Sequence, residues 1–184
     1  MSDTIRVSME ELSPFLTECL EKGQEVLLTV TGNSMCPFLY HRRDQAVLRR
    51  VNGTALQPGD VCLYRRRSGQ YVLHRVLVRD DGTTRRQLEK KKTLPSSLPA
   101  GVVRYTMLGD AQTDREPGIA PEQIVAQAVA FHRKDKVWPC DSHAYCRYVR
   151  WWYRLLPVRG MLIPLYHLPG RIGRSCRRLL GERK

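Results

Sequence analysis

A series of short apolar runs, each cut off by turn residues, is the strongest constraint on the fold. The clearest is QYVLHRVLV, residues 70–78. Successive side chains of an extended chain point to opposite faces. Val72, His74, Val76 and Val78 therefore share one face, and Tyr71, Leu73, Arg75 and Leu77 the other. EVLLTV at 25–30, AVLRRV at 46–51, a run at about 60–66, VVRYTMLGD at 102–110 and IVAQAVAFH at 124–132 read the same way. Between them stand Gly32 to Pro37, Pro58-Gly59, Asp80-Asp81-Gly82 and Gly109-Asp110, and Pro121 is placed to open a helical turn. Strands this short and this regularly interrupted predict a mostly β domain with irregular elements.

Helix signals are confined to the ends. Ser8 and Glu11 have capping-box spacing, but Pro14 follows too soon for one uninterrupted helix. A second start, with Ser13 as cap and Pro14 at the first helical position, is better placed. Leu16, Cys19 and Leu20 then form an apolar stripe, and Gly23 ends the helix. The stretch 83–101 is polar, basic and rich in Ser and Pro towards its end, which predicts a flexible insertion. Residues 1–132 therefore read as the domain. Residues 133–184 read as a basic, aromatic, helical tail.

The net charge of +13 is unevenly placed. Residues 1–40 carry −4, whereas residues 132–184 carry +10. Such a tail suits nucleic acid or an anionic membrane surface, and charge alone does not choose. Trp151, Trp152 and Tyr153 interleaved with Arg147, Arg150, Arg154 and Arg159 suit a membrane interface, or else a helix packed on the domain. Nucleic acid ranks third, because no recognised module accompanies the charge. The chain opens without a signal-peptide pattern, and its best apolar stretch, GMLIPLYHLPG at 160–170, is far short of the roughly 20 residues a membrane helix needs. Six cysteines without a tight framework predict free thiols and a reducing cytoplasm. Cys140, His143 and Cys146 supply three soft ligands where a structural zinc needs four, so no metal is expected.

Ser34, in TGNSMCPFLY, is by itself an ordinary turn serine. A serine hydroxyl becomes a nucleophile only when a base takes its proton, and the base is usually held by a third group. His74 lies mid-strand on an aliphatic face and is basic enough at neutral pH. Asp110 and Asp114, in MLGDAQTDREP, can each orient an imidazole through its other nitrogen. Cys36 reads as a small side chain near the site rather than a second nucleophile.

Taken in order, Gly32-x-Ser34-Met35-x-Pro37, Pro58 to Val61, His74 to Val76, and Gly109-Asp110 with Asp114 resemble the signal peptidase I-like serine peptidases. The likeness is to the endoplasmic-reticulum and archaeal branch, in which His replaces the catalytic Lys of common bacterial enzymes. It spans roughly residues 25–132. The resemblance implies a complex, coiled, mostly antiparallel sheet, shared with SOS-repressor self-cleavage domains. It implies Ser34 as nucleophile, His74 as general base, and Asp114 or Asp110 as acidic partner, with the family's offset favouring Asp114. Met35 would lie beneath the nucleophile and the Ser34 N–H would face the oxyanion. Gly32 stands where many relatives place a second, serine donor.

The expected function is hydrolysis of a peptide or leader sequence after small side chains, with no metal or organic cofactor. The expected partner is a peptide or precursor protein. The family's usual membrane anchor is missing from this sequence, so a cytoplasmic member is expected, with peripheral membrane contact through the tail left open. The rival expectation is a catalytically degenerate module that binds peptide or anionic membrane.

Overall fold

The computed structural model describes residues 9–81 and 102–159. The 83–101 insertion, the Ser8 cap and the tail beyond 159 lie outside them. Helix α1 (Met9–Glu21) precedes β1 (Val26–Thr29), β2 (Gln45–Arg49), β3 (Val61–Arg65), β4 (Tyr71–Asp80), β5 (Arg104–Leu108) and β6 (Glu116–Ile119). A 3-10 turn at Pro121–Gln123 leads into β7 (Ile124–Arg133), then β8 (Lys136–Pro139) and helix α2 (His143–Leu155). The eight strands form one open antiparallel sheet in the order β1-β2-β7-β3-β4-β5-β6, with β8 paired to β7. Among the described residues no helix is long and apolar enough to cross a membrane.

Both faces of the sheet are covered. One face carries Leu63, Ala126, Ala128 and Phe131 against Leu16 and Leu20 of α1, Met35, Phe38 and Leu39 of the β1–β2 connection, and Tyr145 of α2. The other carries Cys62, Tyr64, Val76, Tyr105 and Met107 with Leu56 and Ile119. The alternation of β4 is as the sequence implies: Leu73 and Tyr71 join the first cluster, Val72 and Val76 the second. Register shifts between Val47 and Leu48, Leu63 and Tyr64, and Val76 and Val78 bend the sheet.

One local expectation is corrected, and two strands are added. Helix α1 does not restart at Ser13 but runs through Pro14. A mid-helix proline costs about 3 kcal/mol, and burial of Leu16 and Leu20 at 0% and 2% exposure returns about 1.5–3 kcal/mol each. The helix ends as expected, with Gly23 N–H on Leu20 O and Gln24 N–H on Cys19 O. Strands β6 and β8 were not foreseen. The first contains Pro117 and Gly118 and is held by its pairing to β5, Met107 opposite Glu116 and Tyr105 opposite Ile119.

The aromatic run of α2 divides between two surroundings. Tyr145 and Trp152 are buried, whereas Trp151 is 59% exposed. The inner face closes over Arg75, which is fully buried and forks onto Asp110 at 2.9 and 2.8 Å. Arg75 also donates to Gly59 O and to the Tyr145 hydroxyl, both at 2.8 Å, and Tyr148 donates to Asp110 at 2.7 Å. Asp110→Ala would strand a buried guanidinium, so we expect a loss of about 3–5 kcal/mol in denaturant unfolding. The paired change Arg75→Met with Asp110→Leu should lose clearly less. Equal losses would show that the ion pair is not what holds α2.

Candidate active site

Ser34 sits half-buried in the connection between β1 and β2. Met35, Phe38 and Leu39 of the same stretch are buried in the first cluster and anchor it. Gly32 turns the chain at φ +89°, and its N–H is taken up by His41 Nδ1 at 2.8 Å. It is therefore not free to serve as an oxyanion donor. The Ser34 N–H meets no acceptor among the described residues.

The far side of the turn is tied to the chain leaving β5. Ala111 N–H donates to Ser34 O at 2.7 Å. A Cβ placed on Gly109 would stand only 2.7 Å from that same oxygen and 2.7 Å from Gln112 Oε1, so only glycine fits. Arg75 pairs with Leu108 across β4 and β5. Extending this antiparallel register one residue beyond its last pair would set Gly109 opposite His74. Side chains of directly opposed residues share a face, and their Cα atoms lie about 4.5–5.5 Å apart. The Ser34 carbonyl thus lies against Gly109 at the exit of β5, the strand paired to that of His74, and no hydrogen bond joins Ser34 to His74 among the described residues.

His74 is 1% exposed. Its Nδ1 lies 3.2 Å from the Tyr64 hydroxyl and 3.3 Å from Glu116 Oε1. Tyr64 gives its proton to Glu116 Oε2 at 2.8 Å. Both neighbours of Nδ1 are therefore acceptors, so the neutral imidazole carries its proton there. That leaves Nε2 as the lone-pair nitrogen, and no protein group among the described residues bonds it. Burial pulls the His74 pKa down to about 4, against the charge of Glu116, which raises it. Burial would push Glu116 up, but hydrogen bonds from Arg66 and Tyr64 hold it below the ordinary carboxylate range. Arg66 grips both Glu116 oxygens.

Both aspartates named from the sequence lie elsewhere. Asp110 follows Gly109 and so points to the opposite face, onto Arg75. Asp114 is exposed in the loop before β6, with no hydrogen bond or ion pair among the described residues. The carboxylate at His74 is Glu116, delivered by β6 beside Met107, itself beside Val76. The only signal in the sequence was an acid a few residues beyond Gly109-Asp110, and Glu116 meets that description as well as Asp114 does.

Cys36 is buried, and burial raises its thiol pKa, so it is a poor nucleophile at neutral pH. The described cysteines are free thiols. Among the described residues no cluster of His, Cys, Asp and Glu is arranged to hold a metal ion, and Cys140, His143 and Cys146 do not converge. The chain matches no protein-family model and no curated protein sequence.

The depressed His74 pKa links to stability. Between its ordinary value of 6.5 and about 4 the unfolded chain binds a proton that the folded protein does not. Stability therefore rises with pH across that window. His74 should account for a loss on the order of 3 kcal/mol as pH falls from 6.5 to 4. Chemical denaturation of wild type and His74→Gln at both pH values checks this. Parallel pH dependences would mean that His74 does not titrate as described.

Proposed function

We propose that this chain is a serine endopeptidase of the signal peptidase-like class, with Ser34 as nucleophile and His74 as general base. Glu116, rather than Asp110 or Asp114, is the carboxylate that orients the base. The observation that carries this reading is a buried histidine, its proton pinned at Nδ1 and its Nε2 unbonded, on the strand paired to the segment that seats the serine turn. Met35, directly after the serine, is buried in the core and anchors the turn, which is compatible with this reading.

In this reading His74 Nε2 takes the Ser34 proton as Oγ attacks the scissile carbonyl. The imidazolium that forms keeps Nδ1–H on Glu116, whose charge favours the protonated state. The Ser34 N–H faces the oxyanion. His74 returns its proton to the leaving amine, and the acyl group stays on Ser34. Water, deprotonated by His74, then releases the acid and restores the serine. None of these steps needs a metal or an organic cofactor. The substrate is a peptide or a leader sequence of a precursor, cut after a small side chain as the resemblance implies. Free thiols among the described residues suit a reducing cytoplasm.

Incubation with a proteome-derived peptide mixture, read by mass spectrometry, tests the reading. We expect wild-type cleavage at a consistent set of bonds, and Ser34→Ala to lower kcat/KM by about 10³-fold or more. Cleavage that survives Ser34→Ala sinks the assignment. Peptides bound equally by both forms and cut by neither would point to the degenerate binding module instead.

The pH profile separates the role of Glu116. Activity needs neutral His74, so kcat/KM should fall on the acid side near pH 4, not near 6.5. Glu116→Gln removes the charge that raises the His74 pKa, so its acid limb should move lower still. Its plateau should drop by roughly 10²- to 10⁴-fold. An unchanged profile would remove Glu116 from the mechanism.

A further inference from the structure

The outward face of α2 has a composition that the peptidase reading does not use. Arg147, Arg150, Trp151, Arg154 and Leu155 are all exposed. At 3.6 residues per turn they fall within an arc of about 140°. Trp151 is 59% exposed and Leu155 42%, and Val158 just beyond the helix is 45% exposed. The opposite arc, with Tyr145, Tyr148 and Trp152, is occupied by the domain. The Arg154 guanidinium lies over the Trp151 ring at 5.6 Å from its centroid. None of Arg147, Arg150 and Arg154 forms an ion pair among the described residues, and no Asp or Glu occurs from residue 142 to 181.

We propose that this face docks the protein on an anionic lipid surface, with Arg147, Arg150 and Arg154 on headgroup phosphates and Trp151, Leu155 and Val158 at the acyl boundary. The charge is complementary to such a surface, and so is the chemistry of the arc. A nucleic-acid backbone would satisfy the arginines but leave Leu155 and Val158 nothing to bury against. A lipid interface accepts both halves, with the indole at headgroup depth. α2 covers the face of β4 that carries Arg75, while His74 projects from the other face.

Vesicle flotation of the full chain tests this, with phosphatidylcholine vesicles compared against phosphatidylcholine and phosphatidylglycerol in equal parts. Binding is expected only to the anionic vesicles, weakening with salt and accompanied by a blue shift of tryptophan emission. Arg147→Gln with Arg150→Gln and Arg154→Gln should weaken it by about 10²-fold, near tenfold or less per charge. Trp151→Ser with Leu155→Ser should abolish the blue shift and weaken binding by about tenfold or more. All five positions are exposed, and an unchanged melting temperature will show that the variants fold. Ser34→Ala should bind vesicles as wild type does, so failure of the peptidase reading and of this one are distinguishable. The proposal is overturned if wild type ignores anionic vesicles, or if both α2 variants bind as wild type. It is overturned equally if only Arg171→Gln with Arg174→Gln, Arg177→Gln and Arg178→Gln loses binding, which would place the contact in the tail. Preferential binding to duplex DNA that survives Trp151→Ser with Leu155→Ser would also overturn it.

Discussion

The structure hangs on the ion pair between Arg75 and Asp110. Both side chains are at 0% exposure, and dehydrating two charges costs several kcal/mol each unless every polar position is met. Here the guanidinium meets two carboxylate oxygens, the Gly59 carbonyl and the Tyr145 hydroxyl, with the rings of Tyr145, Tyr148 and Trp152 around it. The partners come from β4, from the turns before β3 and after β5, and from α2. Once Asp110 is fixed in this way, its neighbours Gly109 and Ala111 have little choice of direction. Both lie against the Ser34 carbonyl.

His74 and Arg75 are adjacent and both buried, yet burial leads to opposite protonation states. Arg75 keeps its charge because both oxygens of the Asp110 carboxylate bond it, and its pKa lies well above the ordinary value. Glu116 is shared among Arg66, Tyr64 and His74. What remains for the imidazole is less than its loss of hydration, so it stays neutral. A neutral ring with one nitrogen anchored can accept a proton. One strand thus carries a structural cation on one face and a base on the other, and strand parity keeps them apart.

Much of the fold was legible where alternation is strong. The strands around Val26–Thr29, Val61–Arg65, Tyr71–Asp80 and Ile124–Arg133 stand within a few residues of where period two places them. Strand β6 was not legible, because Pro117 and Gly118 speak against a strand and only the edge of β5 makes one. That omission also hid Glu116, since an acid in a presumed loop has no predictable facing. Ser34 and His74 were visible as chemistry-bearing residues in turn and strand. That the serine turn is seated on the chain leaving β5, the strand paired to that of His74, was not, because no local pattern reveals it. The tail's aromatics could not be divided between inside and outside without knowing that Tyr145 and Tyr148 reach Arg75 and Asp110.

The last described residue, Arg159, reaches back to the carbonyl of Asp110. With the Tyr148 contact, the chain after β7 therefore clasps the same loop that seats the serine turn. Modularity is the casualty. A boundary drawn after residue 132 looks natural from composition, yet a chain severed there would leave Arg75 and Asp110 facing solvent where α2 had been. The loop at Gly109 would lose its clasp and the serine turn its seat. In evolutionary terms, the segment carrying α2 is not a detachable accessory that could be exchanged for another targeting element. Change on its outer surface is unconstrained by the fold, while its inner surface is bound to the core it closes.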